Sequence, residues 1–380
     1  MTKSSDKTAF AHFSVPSTTP PKYLLSFSSR GAYLAGLAFY PALSYRSRLK
    51  KDFLEKGFRF FKAAMLTGLI GPSEDKRLES VYRLLKILDT SHYAYNMYVP
   101  SYNKAIVQAV DASGRCKKII KVALSVRGRS DLQQEADNLN FLNAFSFKSF
   151  EVPKIKDIGI REGVFFVEHS CPQRYAPLEK LDYSDRILNV LSELFEANRS
   201  CCVRLTESPL FRTLEAKLSS DEYKGMSELI KNTLTIYRGR VGDIKIPLGI
   251  VHSDFKPWNM LVNLDTGKIL LVDWELMTDK GFPVWDIYSY VFFTYFTLWY
   301  DPKPQKVMTY FKHYIPFFNS YADDCGIDKK LVFALLPLYL IDLLAAEHLW
   351  DRWEKNEYRP KKIVDSIKLF LAYAIGNNFN

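Results

Sequence analysis

The sequence predicts an α+β protein of two lobes, a small one rich in strands and a larger one mostly helical, with a basic helical extension ahead of them. Three observations predict it. Short runs of β-branched residues crowd into 95–170, helical periodicity dominates from 176 onward, and Lys and Arg gather in residues 1–70. At 380 residues, 47% hydrophobic and 25% charged, the chain is long enough for two cores and too apolar for wholesale disorder.

Residues 1–22 are polar and rich in Pro, Ser and Thr. They read as a disordered lead-in with no secretory signal. The basic helical extension is expected over 23–92. Its apolar stretch "GAYLAGLAFYPALSY" (31–45) has fifteen residues between Arg30 and Arg46, short of the roughly twenty a spanning helix needs. In 46–71, Leu54, Phe58, Phe61 and Met65 recur at helical spacing among Lys50, Lys51, Lys56, Arg59 and Lys62. Such a basic amphipathic helix either lies on an anionic bilayer or packs its stripe on the protein body. A second helix is expected over 74–90.

The net charge of +10 is localised. Residues 1–70 hold eleven Lys/Arg against three Asp/Glu, whereas 281–380 hold eleven of each. The N-terminal segment therefore calls for an anionic neighbour, a membrane surface or an acidic glycan. No zinc, helix-turn-helix or RNA-module pattern accompanies the charge, so nucleic acid is not expected. Cys116, Cys171, Cys201, Cys202 and Cys325 have no metal-ligand spacing, and their odd number argues against a disulfide framework. On that basis the expected location is cytoplasmic, with peripheral attachment to the inner face of the membrane.

The small lobe is expected over 93–170. "KAIVQAV" and "KKIIKVALSV" flank "DASGR", whose Gly114 suits the turn of a hairpin. A helix capped by Ser or Asp follows at 130–145, then two short strands. The large lobe is expected over 171–380. Its apolar segments 287–300 and 330–350 read as buried helices, since the first has fourteen uncharged residues and the second contains Asp342 and Glu347.

The segment that carries chemistry is "VHSDFKPWNMLV" (251–262), followed by "ILLVDWE" (269–275). Phosphoryl transfer needs a carboxylate to orient the attacking hydroxyl and take its proton, oxygen ligands for Mg²⁺, and a cation for the phosphates. Asp254 suits the first role; Asn259 and Asp273 suit the second. An ordinary turn pair at Asp254 and Asn259 leaves Asp273 and the flanking strands unexplained. His252 reads as a packing residue. Lys256 is either a contact to the transferred phosphate or a solvated lysine.

"HSDFKPWN" with "LLVDWE" is similar to the catalytic and metal loops of the protein-kinase-like fold, in the form seen in the aminoglycoside phosphotransferase and choline kinase family. "GFPVWDIYSY" resembles that family's continuation, and by this resemblance Asp286 supports the catalytic loop's backbone. The resemblance is tight over 250–290, looser over 100–170 and absent from 1–90. It implies that Lys121, inside "IIKVAL", pairs with Glu135 and meets ATP or GTP phosphates; an edge-strand lysine in water is the alternative. It implies too that backbone groups of Glu168 and Ser170 read the base. The loop "VPSYNKA" (99–105) departs from the pattern in lacking glycine, leaving Ser101 and Asn103 as candidates for phosphate contacts. The implied reaction is Mg-dependent transfer to a non-protein hydroxyl of a sugar, glycan or glycolipid. An aminoglycoside or choline-type acceptor, or an inactive nucleotide-binding scaffold, are the alternatives.

Overall fold

The structure, a computed structural model, describes residues 12–15, 23–37, 45–66, 78–88, 93–100, 103–172, 174–178, 182–200, 202–218, 227–241, 243–295, 304–344, 365 and 368–369. It divides into two units. The first comprises 1–146, 150–181 and 258–275; the second comprises 147–149, 182–257 and 276–380.

The first unit is built on a seven-stranded antiparallel sheet. Its strands are β1 (His12–Val15), β2 (Tyr23–Ser26), β3 (Ala94–Tyr98), β4 (Lys104–Val110) and β5 (Cys116–Ala123), then β7 (Ile155–Arg161) and β8 (Val164–His169), with β6 (Phe150–Glu151) set apart. The order is β1-β2-β3-β4-β5-β8-β7. β4 and β5 form the hairpin expected around Gly114, whose φ of 84° is the left-handed turn conformation that glycine adopts freely. Helix α5 runs from Val126 to Leu142, starting earlier than the sequence suggested. Its cap is Ser125, whose hydroxyl accepts from the Gly128 N–H at 3.0 Å.

The N-terminal segment differs from its expected form. Two strands precede the helices: β1 falls in the supposed disordered lead-in, and β2 pairs with β3, so the extension is part of the sheet. Four-residue strands such as "YLLS" show too little alternation to be told from loop or helix. Helices α1 (Arg30–Leu37), α2 (Tyr45–Lys56), α3 (Phe58–Leu66) and α4 (Glu79–Ile87) follow. Leu54, Phe58 and Phe61 are buried against Leu25, Phe27 and Tyr33, so the stripe with membrane-facing spacing is core. The side chain of Met65, the fourth member of that stripe, lies outside the described residues.

Asn96 ties the extension down. Its amide donates to Ala32 O at 2.8 Å and to Gln108 Oε1 at 3.1 Å, and its oxygen accepts from the Ser26 N–H at 2.9 Å. The α4 residues Val81, Leu84 and Leu85 share a core with Met97, Val107, Ile120, Val122 and Phe166.

A second sheet of the first unit joins Met260–Asn263 and Ile269–Leu271 to β6 and to β9 (Tyr175–Pro177). These pairings place 171–178 and 258–275 in the first unit, although the sequence reading assigned everything beyond residue 170 to the large lobe. Cys116 and Cys171 are disulfide-bonded, with Cα atoms 6.1 Å apart, which corrects the inference from the odd cysteine count. The register of β5 against β8 brings the two positions together, a proximity that sequence spacing does not reveal. Cys202 is exposed and free, Cys325 is buried and free, and Cys201 lies outside the described residues.

The second unit is mostly helical. Asp185–Ala197 and Ile315–Cys325 are amphipathic helices whose buried residues include Leu191, Leu194, Phe195, Phe318 and Tyr321. Helix Val284–Tyr288 continues into one π-helical turn, Ser289–Phe293, within the segment expected to be a buried helix; residues 296–300 lie outside the described residues. Leu336–Leu344 is apolar and mostly buried. Its Asp342 accepts a hydrogen bond from Trp285 Nε1 at 2.9 Å, which explains a carboxylate in that run. Among the described residues, no helix is long and apolar enough to cross a membrane.

Candidate functional site

In the first unit, strands β4 and β5, helix α5 and the loop after Ile269–Leu271 bring five charged side chains together. Lys121 Nζ lies 2.6 and 2.8 Å from the two carboxylate oxygens of Glu135 and 2.9 Å from Asp273 Oδ1. The alternation of β5 turns Lys121 inward, and Glu135 on α5 meets it there with 1% exposure. Lys104, the first residue of β4, sits 3.0 Å from Asp273 Oδ1 and also contacts the Glu275 carboxylate.

Trp274 holds this arrangement in place. It is fully buried, donates from Nε1 to Leu271 O at 2.7 Å, stacks on Phe150, and its carbonyl accepts from Asn138 Nδ2 at 2.7 Å. With the tryptophan fixed, its neighbours Asp273 and Glu275 both reach Lys104. Asp273 adopts φ 72°, a left-handed conformation rare outside glycine and best tolerated by Asp and Asn.

The electrostatics follow from burial and mutual contact. Burial alone would raise Asp273, but Lys104 and Lys121 hold it well below the usual carboxylate range. Burial would likewise lower both lysines, and the surrounding carboxylates, Asp273 first, outweigh it and raise them. Burial and the charge of Asp273 push Glu275 up.

The cluster opens onto a cavity of about 230 Å³ within the same unit. Ile106 and Ile119 line it from the large sheet, Leu261 and Leu270 from the small one, Val272 just beyond that sheet, and Lys121, Asn259 and Asp273 supply polar groups. Asn259 is 6% exposed, and its carbonyl accepts from the Val272 N–H at 3.0 Å.

Around the end of β8, Glu168 and the Ser170 N–H, candidates for reading the base, have partners in the protein. The Ser170 N–H donates to Lys154 O at 2.7 Å, and the Ser170 hydroxyl accepts from the Lys154 N–H. Glu168 pairs with Lys118 at 3.2 Å, and its backbone lies between β5 and β7. His169, the residue between them, lines the cavity, as does Ser170. Neither His169 nor Lys104 is legible from a motif. Lys104 does share with Lys121 the signal of a lysine beside an apolar strand run. Ser101 lies outside the described residues, and Asn103 Oδ1 accepts a hydrogen bond from the Ser125 hydroxyl.

In the second unit, the loop after Gly249–Val251 carries Asp254. Asp286 is 2% exposed and accepts from the backbone N–H groups of His252 at 2.7 Å and Ser253 at 2.9 Å. These bonds hold Ser253 at φ 66° and fix the turn before Asp254. Burial pushes the Asp286 carboxyl up to about 7, against the lowering effect of both hydrogen bonds. His252 is fully buried, packs edge-on against Phe255, and accepts from the Asp254 N–H through Nδ1 at 3.2 Å. Lys256 contacts the Asp254 carboxylate and is 8% exposed, so it is not a solvated lysine.

Residues 229–314, which include this loop and both aspartates 254 and 273, match the phosphotransferase enzyme family. No curated protein matches the sequence. Among solved structures, the chain is similar to wild-type aminoglycoside 2′-phosphotransferase-IIIa, at 14% identity and a TM-score of 0.52, covering 80% of this chain and 100% of that one. A thermostable mutant of aminoglycoside phosphotransferase APH(4)-Ia gives 12% identity and a TM-score of 0.50, covering 77% and 99%. Choline kinase LicA from Streptococcus pneumoniae gives 16% and 0.48, covering 78% and 100%. The family match and the shared fold together make this chain a kinase-type phosphotransferase with the protein-kinase-like fold.

Proposed function

We propose that the enzyme moves the γ-phosphoryl of ATP or GTP, with Mg²⁺, onto a hydroxyl of a sugar, glycan or glycolipid intermediate. The observation that carries this reading is the buried contact of Lys121 with both Glu135 and Asp273 on a cavity wall. A lysine held this way faces a bound anion at little cost in side-chain entropy. A protein of the same fold was solved with GDP.

The donor set suits Mg²⁺, which takes oxygen ligands and favours carboxylates. Asp273 and Asn259 are the ligands this chain would offer, and carboxylate oxygens of Glu135 and Glu275 lie within 4.8 Å of one another and of Asp273. A bound Mg²⁺ would supply positive charge against the charge that builds on the phosphates during transfer. Asp254 orients the acceptor hydroxyl and takes its proton. Lys256 is in contact with that carboxylate and would be the cation for the transferred phosphate. Asp286 keeps the loop backbone set for both.

For the acceptor, charge is the guide. A polycationic aminoglycoside calls for a strongly acidic pocket, and residues 281–380 are balanced. On α2 and α3, Leu49, Phe53 and Phe60 are 50%, 65% and 68% exposed. Around them stand exposed Arg48, Lys50, Lys56 and Arg59, with Asp52 and Glu55 as the nearby acids. Exposed aromatics ringed by basic residues suit an anionic bilayer, which favours a lipid-linked or anionic acceptor at the cytoplasmic face, where nucleotide is supplied.

The test is nucleotide consumption against panels of sugars, glycolipid precursors, amino alcohols and aminoglycosides. The expected result is turnover with a sugar, glycan or glycolipid acceptor. Turnover confined to aminoglycosides or amino alcohols would overturn the acceptor class, and inertness of the nucleotide with every panel would overturn the reaction.

A further inference from the structure

His169 ends β8 and is only 4% exposed, yet neither Nδ1 nor Nε2 has a hydrogen-bond partner among the described residues. Such a group is unusual. Buried polar atoms are nearly always paired, because an imidazole taken from water forfeits the hydrogen bonds it made there. Where a fold keeps an unpaired ring on a cavity wall, a ligand is the natural partner.

The position says which part of a ligand. His169 stands opposite Ile119 in the β5–β8 register, and Lys121 is two residues farther along β5 on the same face. The cavity thus has a cationic group at Lys121 and a hydrogen-bonding ring displaced from it along the sheet. Between the sheets, Ile119 on one side and Leu270 and Val272 on the other make apolar walls. A nucleobase has the matching chemistry, with flat apolar faces and a polar edge. A sugar or an amino alcohol offers no flat apolar face to such walls.

We propose that one ring nitrogen of His169 hydrogen-bonds the edge of the nucleotide's base, an assignment that rests on the nucleotide-dependent reading above. It takes the place of a contact through Ser170, whose N–H is engaged by Lys154. Burial lowers the imidazole to about 4, so the ring is neutral at physiological pH, with one donor and one acceptor nitrogen. The two tautomers answer either hydrogen-bonding pattern of a purine edge. The base contact therefore comes from a side chain that a single substitution removes.

The experiment is a calorimetric titration of the full chain with MgATP, MgGTP and Mg-tripolyphosphate, for wild type, His169→Leu and His169→Gln. The expected result is a loss of about tenfold or more in nucleotide affinity for His169→Leu, with tripolyphosphate unchanged and part of the loss restored by Gln. On wild type, the ¹⁵N resonances of the His169 ring should shift with nucleotide and stay in place with tripolyphosphate. These spectra decide the matter even where the leucine variant does not fold. Unmoved ring resonances on nucleotide binding, or equal losses for nucleotide and tripolyphosphate, would overturn the role of His169 and leave the kinase reading standing. A wild-type protein that binds neither nucleotide would overturn both.

Discussion

Asp254→Asn keeps the side chain's size and removes its proton-accepting charge. It should cut turnover by about 10²- to 10⁴-fold, the usual worth of a general base, with nucleotide affinity and thermal stability near wild type. Undiminished turnover would remove Asp254 from that role. Lys121→Met strands Glu135, at 1% exposure, as a buried carboxylate without its lysine. Breaking one partner of a buried pair costs about 3–5 kcal/mol, so chemical denaturation should show a loss of that order. His169 gives a pH signature of its own. Its folded pKa of about 4 lies below the ordinary 6.5, so the unfolded chain binds the proton more readily. The stability that its neutral burial supplies is whole above pH 6.5 and lost as pH falls toward 4, at up to about 1.4 kcal/mol per pH unit. Denaturation curves of His169→Leu should lack that slope, and an identical slope would contradict the burial. At this scale a motif marks candidate residues by spacing alone, namely Asp254, Asn259 and Asp273. It did not reveal Lys104 or His169, whose places come from strand register, a relation between residues far apart in the chain.

The element scale is where the N-terminal extension belongs. β2 completes pairing along β3, and the rings of Tyr23 and Tyr98 stack at 4.8 Å across that seam. The buried amide of Asn96 bonds to Ser26, Ala32 and Gln108. Asn96→Ala would remove the side-chain bonds to Ser26, Ala32 and Gln108 and leave the buried Ser26 N–H without the acceptor Asn96 supplies, at about 1–3 kcal/mol. A lower midpoint with one cooperative transition is expected; an unchanged midpoint would mean the extension is a separable appendage. Hairpin β4–β5 was legible because Gly114 and two apolar runs mark it locally. β1 and β2 were not, because four residues carry too weak an alternation. The stripe Leu54, Phe58 and Phe61 was legible as amphipathic, but periodicity does not say whether an apolar face meets core or lipid, and here it meets Phe27 and Tyr33.

For the whole molecule, charge and exposed aromatic side chains decide the partner. The double variant Phe53→Ser, Phe60→Ser should bind anionic vesicles several-fold more weakly than wild type while turning over a soluble acceptor normally. Equal partition in a sedimentation assay would retire the bilayer. Overall class was readable from the change of periodicity along the chain, whereas the Cys116–Cys171 bond and the grouping of 258–275 with the first unit arise from tertiary pairing alone. The claim on which all else rests is that Asp273, set between two buried lysines, serves metal-dependent nucleotide binding. Titration of ATP with and without Mg²⁺ into wild type and Asp273→Asn tests it most directly. The account predicts tight, Mg-dependent binding to wild type that the variant loses, and binding that is equal in the two proteins or indifferent to Mg²⁺ would contradict it.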